Sequence, residues 1–283
     1  MKTMAMLVRR EFWEHRVFLW LPLILCAGFL LTCVVVGAKF GQGSVTVMNS
    51  RGVFRDVGSG LVGLTFVLPL TVAGLMAIVT FFYLSDSLYA DRKDRSILFW
   101  KSLPVSDAMT VLSKMLVALI AVPLVVYALA FVTNLLVLLV IKVSTGVELF
   151  SGAFGVGEWF GANLQLLLRI FVMALWYSPI VALQLLISVS VPRMPLVWTV
   201  VPPLVLIFGE RMFFGTWNVG LFVLERISGP DTGQNVAFAV QGIPGHGLNP
   251  LPFLSHVDLW AGVAVAAVLT YVAILIRRHR SDS

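Results

Sequence analysis

Six long apolar runs decide what this chain can fold into. They lie at Val17–Gly37, Leu61–Leu84, Met115–Ile141, Leu164–Ser190, Leu196–Phe214 and Val257–Ile276. Each is close to the ~20 residues that carry a helix across ~30 Å of hydrocarbon. The runs are continuous rather than alternating, so helices are expected and barrel strands are not. Hydrophobic residues make up 59% of the chain and charged ones only 12%, about half the charged share of a soluble domain. The bilayer is therefore the solvent. The expected fold is an all-α integral membrane protein in one transmembrane domain, residues 1–283, without a fixed-period repeat. Pro22, Pro69, Pro123, Pro179, Pro202 and Pro203 fall within the runs, where membrane helices tolerate proline and often kink at it.

The first run has no small-residue cleavage motif and reads as a retained anchor. Residues 1–16 precede it. Met1, Met4, Val8 and Phe12 recur there at helical spacing, with Lys2, Arg9, Arg10 and Glu14 off that stripe. Phe12 and Trp13 sit at the apolar boundary, where aromatic rings settle. The segment reads as an amphipathic interfacial helix presenting Arg9, Arg10, Phe12 and Trp13; an ordinary basic flank is the plainer alternative.

Lysine and arginine set the orientation. With the N-terminus inside, Lys2, Arg9, Arg10, Arg16, Arg92, Lys93, Arg95, Lys101, Lys114, Arg193, Arg277, Arg278 and Arg280 are cytoplasmic, and Lys39, Arg51, Arg55, Lys142, Arg211 and Arg226 are outside. This asymmetry predicts a multi-pass chain with both termini cytoplasmic and an even number of spans. It also accounts for the net charge of +6 without nucleic acid as a partner. The connections are then a cytoplasmic loop at 85–113, a short cytoplasmic turn at Val191–Pro195, and outer loops of which 215–256 is the longest. Within that outer segment Thr216–Ile227 has helical character.

Several chemistries find no support. No G-x-x-x-x-G-K-[ST] loop is present, so the chain is not expected to bind ATP itself. H-E-x-x-H, C-x-x-C and G-x-S-x-G are also missing, and His15, His246, His256 and His279 are scattered. Cys26 and Cys33 share a run but stand about 10 Å apart along a helix, too far for a disulfide. Asp91 and Asp94 invite a metal-dependent lipid phosphotransferase reading, but Arg92, Lys93 and Arg95 compete for the same carboxylates. Arg169 lies within the fourth run. It either snorkels outward or lines a polar path, with Glu210 and Arg211 as candidate partners.

The most individual segment is SLYADRKDRSILFWKSLPVSD at Ser87–Asp107. After its charges, Ile97, Leu98, Phe99 and Trp100 form an apolar knob beside Lys101. Leu103-Pro104 ends the element, and Ser106 or Asp107 can cap the helix that becomes the third span. Such a knob can seat in a groove on a partner; a juxtamembrane helix without a partner is the alternative.

The helix carrying RREFWEHR, the six runs, this loop, the short second turn and the long outer segment together resemble a bacterial ABC-2 type permease, the membrane subunit of an ATP-binding-cassette transporter. The resemblance implies six transmembrane helices of ABC-2 (type V exporter-like) architecture in the bacterial inner membrane. It implies a second permease, identical or related, with a homodimer as the expected case, and two cassette ATPase subunits that bind ATP and Mg. This chain would hold no cofactor or metal, would not itself be an enzyme, and would form an export path. Its coupling loop would touch the ATPase through Asp91, Arg92, Asp94, Arg95, Ser96, Leu98, Phe99, Trp100, Lys101 and Leu103. Pro192, Arg193 and Met194 would add a second contact, and 215–256 would supply re-entrant helices that close the path from outside. Two other classes stand beside this: an intramembrane lipid-modifying enzyme, and a non-transporting membrane anchor or regulator of an ATPase. No residue in the runs names a substrate.

Overall fold

The computed structural model describes residues 2–40, 48–49, 52–53, 57–93, 106–145, 156–228 and 251–279. The described residues form helices α1 (Lys2–Glu14), α2 (Val17–Phe40), α3 (Val57–Lys93), α4 (Asp107–Leu116), α5 (Val122–Thr145), α6 (Val156–Ser190), α7 (Pro195–Phe214), α8 (Asn218–Ser228) and α9 (Val257–His279). A π-turn, Val117–Ala121, joins α4 to α5, and a 3₁₀ turn, Leu251–Ser255, leads into α9. The two-residue strands Met48–Asn49 and Gly52–Val53 pair antiparallel between α2 and α3.

Six of these helical segments are long and apolar enough to cross a membrane, and the protein is a multi-pass membrane protein. Glu11 of α1 meets Lys114 of α4 at 3.1 Å, and Arg277 of α9 meets Asp107 at 3.1 Å. The N-terminal helix and the end of the last helix therefore share one end of the bundle, as an even number of crossings requires.

The helices outrun the apolar stretches. α3 has 37 residues and α6 has 35; at 1.5 Å per residue each exceeds 50 Å, against about 30 Å of hydrocarbon. The expected loop at 85–113 is helical at both ends, since α3 continues to Lys93 and α4 begins at Asp107. Hydropathy ends where polar residues begin, but the helix need not end there. Ser85 and Ser87 donate their hydroxyls to the carbonyls of Phe81 and Leu84, and Leu88 and Val111 keep an apolar face buried. Ser106 caps α4 by accepting from the Met109 amide at 3.2 Å.

The main core lies at the α1 end and gathers Phe18, Val72, Met76, Leu84, Leu88, Val111, Val117, Leu185 and Ala273. A smaller one at the other end joins Val172, Trp176, Phe253 and Leu259. α7 stands apart: Pro195 is its one buried residue, and Val197, Trp198, Val201, Leu204, Val205 and Phe208 are exposed. In water such a face would be inadmissible; in a bilayer it meets acyl chains.

Two turns reverse the chain around α7. At its far end Gly215 takes φ +69° and closes the helix with its N–H on the Arg211 carbonyl, a left-handed position that glycine adopts without steric cost. At its near end Met194 takes φ 52°, ψ 60°, where a side chain clashes with backbone at a cost of roughly 1–2 kcal/mol. Proline at 195 disfavours right-handed helix at the preceding residue, and the turn from α6 to α7 is too short to spread the reversal. Met194→Gly is expected to raise the thermal midpoint of the detergent-solubilised protein, by up to about 1 kcal/mol of stability at this site; a lower midpoint would show the residue to be unstrained.

Candidate functional site

Seven side chains of alternating sign run through the α1 end of the bundle. In order of contact they are Glu14, Arg10, Glu11, Lys114, Asp91, Arg277 and Asp107. Arg10 holds Glu14 at 3.2 Å through Nε and Glu11 at 2.9 Å through Nη2. Lys114 Nζ donates to both Glu11 oxygens, at 3.1 and 3.4 Å, and stands 4.0 Å from Asp91 Oδ2. Arg277 then bridges Asp91, at 3.2 Å from Nη1, and Asp107, at 3.1 Å from Nε. The last two carboxylates flank residues 94–105: Asp91 sits near the end of α3 and Asp107 opens α4.

The middle of this cluster is shut off from water, while Glu14 and Asp107 at its ends are partly exposed. Glu11 is 0% exposed and Lys114 2%, with Arg277 at 3%. An ion taken out of water costs several kcal/mol, recovered only with good geometry and full hydrogen bonding. Glu11 meets that condition. It accepts from Lys114, from Arg10 and from the Tyr83 hydroxyl at 2.8 Å. Burial pushes its carboxyl up, but the Lys114 charge, the Tyr83 hydrogen bond and Arg10 together outweigh burial and hold it below the ordinary carboxylate value. Tyr83 is in turn boxed by His15 and Phe18, ring centroids 4.9 and 5.1 Å away.

The buried stripe of α1 is therefore not wholly apolar. Leu7 and Glu11 are buried, Val8 and Phe12 pack on the core beside them, and Trp13 is exposed with the Arg9 guanidinium 4.8 Å above its ring. Glu11, Glu14 and His15 offer ligand atoms within 4.8 Å of one another. A cation there would have to displace Arg10 and Lys114 from the two carboxylates.

Of the expected coupling residues, Asp91 and Arg92 lie on the last turn of α3, and Asp91 carries the ion pair to Arg277. Asp94, Arg95, Ser96, Leu98, Phe99, Trp100, Lys101 and Leu103 lie outside the described residues. Pro192, Arg193 and Met194 are exposed on the turn between α6 and α7. Arg169 is half-buried on α6 and interacts electrostatically with the Tyr177 hydroxyl.

Part of the outer segment is described. α8 starts against α7, where Glu210 accepts from the Asn218 and Val219 amides at 2.8 and 2.7 Å and so caps the helix with negative charge. It ends on α6, where Trp176 Nε1 donates to the Arg226 carbonyl and the Tyr177 hydroxyl to that of Ile227. The Arg226 guanidinium lies 4.2 Å over the Trp176 ring and against Gly262 of α9, where an added Cβ would overlap it. α8 thus ties α7 to α6 and α9. Residues 229–250 lie outside the described residues.

Sequence reasoning missed Glu11, Tyr83, Lys114 and Arg277 as members of a site. The one available signal was Glu11 itself: it stands four residues after Leu7 and three after Val8, on the face expected to be buried.

Lys114→Met strands a buried carboxylate. Its cost is expected near the lower end of the ~3–5 kcal/mol typical of a broken buried pair, because Arg10 and Tyr83 remain; chemical denaturation in micelles measures it, and a loss under about 1 kcal/mol would mean that Glu11 is hydrated. Glu11→Leu with Lys114→Met should recover much of the loss. The depressed Glu11 carboxyl also gives a sign to the acid limb. Its contribution is complete above the ordinary glutamate value of about 4.3 and disappears as pH falls through the lower folded-state value. Glu11→Gln should flatten that limb, and an unchanged acid profile would remove Glu11 as its source.

No family model matches this chain, and no curated protein matches it in sequence.

Proposed function

We propose that this chain is the permease subunit of an ATP-binding-cassette exporter of the ABC-2 kind, working with a second copy of itself and two separate ATPase subunits. One observation carries the reading. The segment 94–105 is borne on two helical arms, the end of α3 and the whole of α4, and ion pairs join their tips to α9 and the far end of α4 to α1. A surface loop without a mechanical task does not need such a mounting. A force applied at 94–105 enters α3 and α4 directly and reaches α1 through Lys114–Glu11.

The resemblance supplies the source of that force. ATP and Mg would bind in the partner ATPases, which lie in the cytoplasm and grip Phe99 and Trp100. The basic residues at this end, among them Arg9, Arg193 and Arg278, fit a cytoplasmic face under the positive-inside rule. ATP drives transport only by binding one arrangement of the pair better than the other. α8 and its ties to Trp176, Tyr177 and Gly262 then form part of the closure at the outer end.

The test is retention of the ATPase. The tagged chain, extracted from its native membrane in mild detergent, is expected to carry Mg-dependent ATPase activity, and Phe99→Ala/Trp100→Ala to lose at least tenfold of it while keeping its thermal midpoint. An ATPase that stays bound to the double variant, or a wild-type chain that carries none, refutes the assignment.

A further inference from the structure

Where the arms join the membrane part of the bundle, α3 is gripped from outside by a side chain of α6 and α4 gives way to a π-turn. In α3 the amides of Leu88 and Tyr89 each point at the Ser188 hydroxyl of α6, both at 3.1 Å. Ser188 is 0% exposed. An outside oxygen that accepts from two consecutive helical amides competes with their own i−4 carbonyls, and the Leu84 carbonyl also accepts from the Ser87 hydroxyl at 3.2 Å. A side chain set into the ladder is a recognised origin of a helix bend. On the other strand of the connection, α4 passes into α5 through the π-turn Val117–Ala121, a wide turn that occurs mostly as an isolated bulge, frequently at functional sites. The two irregularities lie at corresponding places, each a few residues on the membrane side of an arm, and both face α6.

Beyond them, among the described residues, Arg277 ties both arms to α9 through ion pairs. Arg277 Nη1 holds Asp91 and Arg277 Nε holds Asp107. A guanidinium serves two carboxylates at once through separate N–H groups, which an ammonium cannot reproduce in the same planar geometry.

We propose that Arg277 is a latch. It holds the ends of α3 and α4 against α9, and when it lets go the two arms swing about the Ser188 site and the π-turn. The inference deepens the coupling role given above, since a partner acting on 94–105 would work against this latch. It makes a prediction for the chain by itself, however, so its failure and loss of the ATPase assignment are separable.

The experiment is pulsed electron spin resonance on the full chain in lipid nanodiscs without any ATPase. Cys26 and Cys33 are replaced by alanine, and spin labels are placed on Met109, exposed on α4, and Arg193, exposed after α6. With Arg277 in place a single narrow distance distribution is expected. Arg277→Gln should add a second population displaced by about a helical turn, roughly 5 Å, and Arg277→Lys should be intermediate. Adding Ser188→Ala to Arg277→Gln lets the Leu88 and Tyr89 amides return to their own ladder and should narrow the distribution again, an effect that general loosening of the fold would not produce. If Arg277→Gln does not fold, Asp91→Asn/Asp107→Asn removes the same ion pairs with near-isosteric neutral groups and carries the same expectation. A folded variant of either kind with an unchanged distribution overturns the latch. An effect of Arg277→Gln that Ser188→Ala does not reverse overturns the hinge.

Discussion

A carboxylate and an ammonium, both shut off from water, organise one end of this molecule. Glu11 and Lys114 are stable there because neither stands alone: Arg10 and Tyr83 complete the first, and Asp91 lies beside the second. Removing Glu11, Lys114 or Arg277 leaves a neighbouring charge under-compensated, so these buried members behave as a unit with their partners. The consequence is mechanical. α1 cannot lift from α4 without exposing a charge, and the tips of α3 and α4 cannot part from α9 without freeing Arg277.

The rest of the bundle obeys the opposite chemistry. In the hydrocarbon, backbone groups must bond within their own helices, and apolar side chains need no partner at all. That explains why α7 can present nearly its whole circumference outward while the α1 end is packed and ion-paired. Polar contacts are concentrated where helices must be held in a chosen relation. At the α1 end these are the ion chain and Ser188; at the far end they are Glu210 on the start of α8, and Trp176 and Tyr177 on its end. The two irregular helix segments sit between these regions, beside the tightly held end.

The two kinds of feature differed in how legible they were. The six apolar helices long enough to cross and the shared side of the termini could be read from runs and charge asymmetry, because each is a property of a window of neighbouring residues. Helix ends were harder. The second crossing looked complete at Leu84, yet α3 continues to Lys93, since an amphipathic turn no longer scores as oil while remaining a helix. Asp91 belongs to the loop segment in the sequence; the fold pairs its side chain with Arg277, a partner no local spacing indicates. Arg277 and Lys114 had been counted only as two more basic residues at an inner boundary. Glu11 is hidden in the sequence because a carboxylate on a buried helical stripe is explained only by its distant partner Lys114.

The sequence by itself determined the solvent, the number of passages through it and the grouping of the two termini, because transfer of apolar surface sums over adjacent residues and needs no knowledge of distant ones. Only the tertiary structure decided which charges meet. Glu11 and Lys114 are 103 positions apart, and Asp91 and Arg277 are 186 apart. An ion pair in a dry interior depends on a few tenths of an ångström, which no spacing along a chain can specify.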